Sequence, residues 1–298
     1  MKKNRVFIEA SGSPVTPSLI SELKKINIHV TSSDISDWNA GASLSDEYLK
    51  VPNHKNPNLW KILIKILKKK KINWVIPSFD ETLSGWADNI ILLKKKNINV
   101  ILSPKETIDI FLDKWLTYKA FLKARLPTPH TSLEKKYNLI KPRKGRGSKG
   151  ILITKKKVKM TGLISQQLLT GREFTTDCLF DLNGNAIYIV SRMRNRVVDG
   201  KSTSSKIFKN EKIKKYILRL SKFYKFIGPI NLQGFIKNDK VKFTELNPRI
   251  AGGMALSWAG TENWFNLWFK KIIYNKKIKI KKIKFNLKMD RYYSEIFY

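Results

Sequence analysis

The sequence predicts an α/β chain: a small parallel sheet covered by helices over roughly the first hundred residues, then an α+β part of hairpins and helices. Three observations carry this. Short β-rich runs alternate with amphipathic helical stretches up to about residue 104. From residue 105 onward the strand–helix–strand alternation stops. The 298 residues, 42% hydrophobic and 11% aromatic, suffice for one large domain or several lobes sharing a core.

Residues 6–9 read as a first strand, 17–26 as a helix capped by Thr16, and 28–32 as a second strand. Residues 58–71 place Trp60, Leu63, Ile64 and Leu67 on one helical face. A third strand at 74–77, a helix at 82–96 and a fourth strand at 98–102 follow, with Ser103-Pro104 opening the next helix. Together these make a Rossmann-like unit over 1–105. Its first turn, Ala10-Ser11-Gly12-Ser13-Pro14, lacks the three glycines that bring a backbone against a pyrophosphate, so no dinucleotide is expected. Asp34 reads as a loop cap. Asp80-Glu81 either line a crevice at the sheet's carboxyl edge or cap the helix that begins at Thr82.

In the second part, residues 139–142 and 151–153 are strands flanking Arg143-Lys144-Gly145-Arg146-Gly147-Ser148-Lys149-Gly150. A strand after a GxGxxG loop excludes the dinucleotide fingerprint and the P-loop, and leaves a hairpin that folds over phosphates. Its glycines let backbone N–H groups crowd phosphate oxygens, and Lys141, Arg143 and Lys149 add charge. The V-A-I-K, H-R-D and D-F-G elements of protein kinases are absent. Residues 164–177 read as strand, break at Thr170-Gly171, strand; Asn183-Gly184 suits a type I′ turn between strands 174–180 and 186–192. The alternating lysines and isoleucines of 276–284 suit a half-buried edge strand.

The most informative segment runs from Asn231 to Arg249. Glu245 and Asn247 share a strand face, and a three-residue loop over Asn238, Asp239 and Lys240 would put Gln233 opposite Glu245, whereas a two-residue loop would send the two to opposite faces. One carboxylate and two amide oxygens in that arrangement suit Mg²⁺ sharing its shell with nucleotide phosphates.

The formal charge of +36 points toward polyanions, but 48 of the 59 basic residues are lysines spread over every segment, as codon bias alone would produce. One cysteine, Cys178, and three scattered histidines exclude an internal disulfide and a Cys/His zinc site. No run approaches 18 apolar residues, which predicts a soluble, cytoplasmic protein.

The order of segments resembles the ATP-grasp superfamily, most closely the synthetase halves of the carbamoyl-phosphate synthase large subunit and their single-copy ligase relatives. Asp113-Lys114 followed by Leu126-Pro127-Thr128-Pro129, Lys141 with its glycine loop, and Glu245-Leu246-Asn247-Pro248-Arg249 carry that resemblance over nearly the whole chain. It implies a Rossmann-like domain at 1–105 and a two-lobed ATP-grasp domain at 106–298, with the small ATP-covering lobe at about 115–168 and the metal-binding lobe at about 169–298. By the same resemblance Lys114 and Lys141 meet ATP phosphates under Gly145, Gly147, Ser148 and Gly150. Gln166, Gln167, Leu168 and Leu169 form the adenine hinge, where relatives often carry a Glu in place of one glutamine, and Glu173 holds the ribose. Gln233, Glu245 and Asn247 ligate Mg²⁺, with Mn²⁺ as a substitute, while Arg249, Lys141 and Arg196, one of a run with Arg192 and Arg194, serve catalysis.

The implied activity is an ADP-forming carboxylate–amine ligase working through an acylphosphate on a small-molecule carboxylate and an amine, with a homo-oligomer left open. A small-molecule phosphotransferase on the same fold and a basic nucleic-acid-binding protein on a degenerate scaffold are the alternatives.

Overall fold

Alternation of short apolar strands with amphipathic helices builds the first layer. The computed structural model describes residues 4–198 and 200–297. In chain order its first unit holds β1 (Arg5–Ile8), α1 (Thr16–Lys24), β2 (His29–Asp34), α2 (Ala40–Leu44), β3 (Glu47–Lys50), α3 (Leu59–Lys69), β4 (Trp74–Ile76), α4 (Asp80–Lys95) and β5 (Asn99–Val100). The strands pair in parallel in the order β3-β2-β1-β4-β5. Leu59, Leu63 and Leu67 bury the face of α3 against Phe7, Val75 and Trp86, with Trp60 and Ile64 at its margin. Strand order reverses between β1 and β4, and there the chain fills its own anion site. The Glu9 carboxylate accepts hydrogen bonds from the amides of Ser78 and Phe79 (3.0 Å each), from the Thr82 hydroxyl (2.8 Å) and from the Trp86 indole (2.9 Å). Burial pushes that carboxyl upward. Asp34 occupies the other turn, accepting from the Gly12 amide at 2.9 Å. Internal carboxylates thus take up amide donors in both turns at this switch point.

The remainder begins with α5 (Lys105–Phe111) and α6 (Lys114–Lys123). Strands β6 (Thr131–Ser132), β7 (Leu139–Pro142), β8 (Leu152–Ile153) and β9 (Leu163–Gln166) make a small antiparallel sheet in the order β6-β9-β7-β8. A larger antiparallel sheet, ordered β14-β13-β10-β11-β12-β15, is formed by β10 (Arg172–Phe180), β11 (Ala186–Val198), β12 (Lys201–Phe208), β13 (Gly228–Lys237), β14 (Lys240–Asn247) and β15 (Lys288–Asp290). Helix α7 (Glu211–Leu220) lies between β12 and β13, and α8 (Ala255–Ala259) and α9 (Trp264–Lys270) follow β14.

Strand alternation divides the large sheet cleanly. On β10, Phe174, Cys178 and Phe180 join Phe121, Ile217, Phe226 and Phe243 in one apolar cluster, whereas Leu179 joins the opposite one. That second cluster crosses from the first unit into the second: Val6, Ile8, Leu19 and Ile76 share it with Tyr188, Val190, Trp258, Trp264 and Trp268. Polar contacts follow the same seam, from the Trp258 indole to the Ser18 hydroxyl (3.1 Å) and from the Asn263 amide to the Glu22 carbonyl (2.8 Å).

Several local expectations are corrected. Thr16 is not a cap; α1 starts at Thr16 itself, preceded by Val15, which makes no side-chain cap bond. The segment 39–50 adds α2 and β3 to the expected elements, with the Asn39 side chain capping α2 by accepting from the Ala42 amide. Asn183-Gly184 is not a type I′ turn, because only Gly184 adopts a positive φ; Asp181 instead accepts from the amides of Asn183 and Asn185. The two-residue turn with both φ positive is at Asn238 (46°) and Asp239 (57°). Residues 276–284 form no strand: Ile278 and Ile283 pack inward at a spacing of five, which a pleat cannot satisfy, and the sheet edge is taken by β15.

Candidate active site

Asp113 caps α6 by accepting from the Trp115 and Leu116 amides and also pairs with Arg143 at 2.6 Å. Because Arg143 directly follows β7, this pair fixes the start of α6 beside the glycine loop, and the Lys114 ammonium donates to the Gly145 carbonyl at 2.7 Å. Gly145, Gly147 and Gly150 all have positive φ, as does Ser148, so the loop's curl depends on residues that tolerate the left-handed region. Lys114, Lys141, Gly145, Gly147, Ser148, Lys149 and Glu245 line a small cavity of about 60 Å³ under that loop. Lys141 is buried on β7. Burial pushes its ammonium down to about 8, with Glu245 opposing the shift and Lys114 adding to it. If Lys141 meets a nucleotide phosphate, as the sequence resemblance implies, that phosphate would keep in place the proton that free Lys141 sheds as pH rises through about 8. Nucleotide affinity is expected to fall as pH rises through 8, by at most about tenfold per unit, with proton uptake on binding. Calorimetry in buffers of different ionisation enthalpy at pH 9 checks this; equal apparent enthalpies would refute it.

The predicted oxygen ligands meet by a route the sequence did not suggest. The turn at Asn238-Asp239 has two residues, pairing Lys237 with Lys240, which alone would send Gln233 and Glu245 to opposite faces. A bulge at Thr244 adds one residue and inverts the alternation, so that Gln233 faces Glu245 and Asn231 faces Asn247. Phe243 before the bulge and Leu246 after it consequently share the same apolar cluster. Gln233, Glu245, Asn247 and Arg249 all line a second cavity of about 220 Å³, together with Glu173, Arg192, Arg194 and, from the first unit, Ser13 and Ser78. Glu245 and the loop residues Arg146, Gly147 and Ser148 line both cavities.

The arginines are held by carboxylates. Arg249 is bidentate to Asp80 (2.8 and 2.5 Å) and donates to its neighbour's carbonyl at Ile250 (3.0 Å). Arg146 pairs with Glu81 at 2.9 Å and lies 4.4 Å over the Phe79 ring. Thus Asp80 and Glu81 neither cap a helix at Thr82 nor stand free: they open α4 and reach across to the second part of the chain. Arg192 pairs with the fully buried Asp177 at 2.7 Å, and Asp177 also accepts from Asn231 and Ser257. Arg194 pairs with Glu173 at 2.6 Å; burial raises the Glu173 carboxyl and Arg194 opposes that rise.

Arg196 is a correction. It is exposed and does not line the cavity, because a β11 bulge between Arg194 and Arg196 takes it off the face shared by Arg192 and Arg194. The hinge residues Gln166, Gln167, Leu168 and Leu169 line neither cavity. Gln166 is buried and donates to the Thr131 hydroxyl at 2.8 Å, and the Gln167 amide oxygen accepts from Lys242 at 3.2 Å. Sequence reading did not single out Asp177 as a site residue or Ser13, Ser78 and Lys201 as lining residues. Only for Asn231 was there a signal, since it lies two residues before Gln233 and so on the same face.

Among the described residues no cluster of three or more His, Cys, Asp and Glu side chains could hold a metal. The set Gln233, Glu245 and Asn247 is nonetheless chemically suited to Mg²⁺, which takes few protein oxygens and shares the rest of its shell with water and phosphate. Among the described residues no helix is long and apolar enough to cross a membrane.

Residues 159–292 match the family described as ATP-grasp in the biosynthetic pathway with Ter operon, and residues 14–104 match the PylC-like N-terminal domain. No curated protein matches the sequence. Among solved structures, the biotin carboxylase domain of Hydrogenobacter thermophilus 2-oxoglutarate carboxylase, in complex with MgADP, ADP and bicarbonate, superposes with a TM-score of 0.74 at 14% identity, over 97% of this chain and 74% of that one. N5-carboxyaminoimidazole synthetase from Staphylococcus aureus, complexed with ADP, gives 0.72 at 14% identity over 95% and 81%. L-amino acid ligase from Bacillus licheniformis gives 0.69 at 17% identity over 92% and 74%.

Proposed function

We propose, from the premise that this chain is an ATP-grasp protein, that it is an ADP-forming ligase that activates a small-molecule carboxylate for attack by an amine. The observation that carries this reading is the pair of adjoining cavities sharing Glu245 and the loop residues 146–148, with Lys114, Lys141 and Lys149 in the smaller and Arg192, Arg194, Lys201 and Arg249 in the larger. A phosphoryl donor under the glycine loop and an acceptor in the larger cavity would meet at Glu245.

In this reading Lys114 and Lys141 neutralise the phosphate tail while the loop amides of Gly145 to Gly150 cover it. Residues 166–169, outside both cavities, would offer backbone groups to adenine, and Glu173, on the wall of the larger cavity, would accept from the ribose hydroxyls through Oε2, Oε1 being held by Arg194. Gln233, Glu245 and Asn247 would hold Mg²⁺, which supplies charge neutralisation for the transferring phosphoryl group. A carboxylate oxygen of the acceptor attacks the γ-phosphorus, the bond to the β,γ-bridging oxygen breaks, and ADP departs. Arg249, oriented by Asp80, faces the charge that develops on that phosphoryl group. The amine then attacks the acyl carbon, expelling phosphate and losing a proton.

Calorimetry should give Mg²⁺-dependent ATP binding. An ADP-release screen over carboxylic acids, with hydroxylamine as the nucleophile, should yield a hydroxamate for the true substrate, since an acylphosphate is trapped in that way. A stable phosphorylated product with no hydroxamate would instead make this a phosphotransferase.

A further inference from the structure

The larger cavity carries more cationic donors than its own residues satisfy. The Arg194 side chain, 6% exposed, spends Nη1 on Glu173 and Nη2 on the Gly200 carbonyl (2.7 Å), leaving Nε buried with no partner. Arg192 reaches Asp177 through Nε, while its Nη1 has only the Ser205 hydroxyl at 3.4 Å. Gly253 leaves room for this guanidinium: a Cβ there would lie 2.5 Å from Nη1. Arg291 arrives from the far end of the chain to donate to the carbonyls of Pro14 and Gly252, both in the cavity wall, and its Nε is also buried without a partner. Arg192 and Arg194 thus hold one carboxylate each, Asp177 and Glu173, whereas Arg291, behind the wall, is held by carbonyls alone and has no carboxylate of its own. Burial and the proximity of other cations lower both Arg194 and Arg291. Apolar side chains are few in this wall, confined to Pro14, Val197, Ile250 and Ala251. A hydrocarbon chain or an aromatic ring would find little to bury against, whereas a second anionic group would offset charge that the protein leaves uncompensated.

We propose that the acceptor is a short hydrophilic dicarboxylate, with one carboxylate at the Glu245–Arg249 end for activation and the other on the Arg192–Arg194 wall. This rests on the reading of the chain as a carboxylate-activating enzyme and narrows its substrate class.

The test compares ADP release with MgATP and hydroxylamine for three panels at equal concentration: short dicarboxylates with and without an amino group, their half-amides, and apolar monocarboxylates of similar length. The expected result is a preference for a dicarboxylate over its half-amide of about thirtyfold in kcat/KM, the worth of a charged hydrogen-bonded pair. That ratio should collapse toward one in Arg194→Gln. Arg194→Lys, which keeps the charge but not the fork, should retain part of it. A general loss of structure would lower all panels together and leave the ratio unmoved. Apolar acids or half-amides turned over as well as dicarboxylates overturn the proposal while leaving the ligase reading intact. ATP binding without ADP release from any acid overturns both.

Discussion

Arg249→Ala is expected to reduce the turnover number about a hundredfold, about 3 kcal/mol of transition-state stabilisation, by analogy with the removal of other single charge-stabilising donors. The apparent Michaelis constant for ATP should change little. Glu173→Ala should do the reverse, because a ribose contact acts equally on ground and transition states and its loss appears in the ATP Michaelis constant. Removing Arg249 also strands Asp80, whose side chain is only 11% exposed, so stability must be separated from chemistry. The double variant Asp80→Asn with Arg249→Ala removes the stranded charge and should regain stability without regaining turnover. Steady-state ADP release at saturating and limiting ATP, with thermal melts of each variant, makes the check. An unchanged turnover number in Arg249→Ala would remove that arginine from the mechanism.

The second large effect concerns stability. Asp177 has no solvent exposure and accepts from Arg192, Asn231 and Ser257. Asp177→Ala leaves a guanidinium that is 3% exposed without a counter-charge, which should cost about 3–5 kcal/mol in urea unfolding. Pairing it with Arg192→Met should recover most of that loss, since exchanging a buried ion pair for packed apolar groups is close to neutral. The same double variant should still lose discrimination between a dicarboxylate and its half-amide. If Asp177→Ala unfolds at wild-type urea concentrations, the network around it is not a structural element.

Much of the fold was legible because periodicity reports it directly. The strands at β1, β4 and β7 and the helices α3 and α4 emerge from spacing alone, and the glycine loop emerges from residue type. What failed was whatever depends on a one-residue irregularity. The bulge at Thr244 leaves no mark in composition, yet it decides whether Glu245 faces the cavity or the apolar cluster around Phe243. The sequence argument reached the pairing of Gln233 with Glu245 through a three-residue loop that does not exist; a two-residue turn plus a bulge gives the same sum. The bulge that removes Arg196 from the cavity face is equally silent, so a run of three alternating arginines reads as three equivalent candidates. Contacts between distant segments were the other blind spot. Nothing local in Asp80-Glu81 says that Arg249 and Arg146 will come to them, because those partners lie 169 and 65 residues away.

The apolar cluster that joins Val6, Ile8 and Leu19 to Tyr188, Trp258 and Trp264 bears on how such a chain can evolve. A segment whose interior is closed by another segment's tryptophans cannot be exchanged by recombination as an independent module, because the crossover would expose both halves of one interior. The amino-terminal unit and the large antiparallel sheet thus close one interior between them. Asp80 and Glu81 add polar ties between the amino-terminal unit and the rest of the chain, Asp80 to Arg249 after β14 and Glu81 to Arg146 in the glycine loop, so a charge change at either carboxylate would call for a matching change at its arginine.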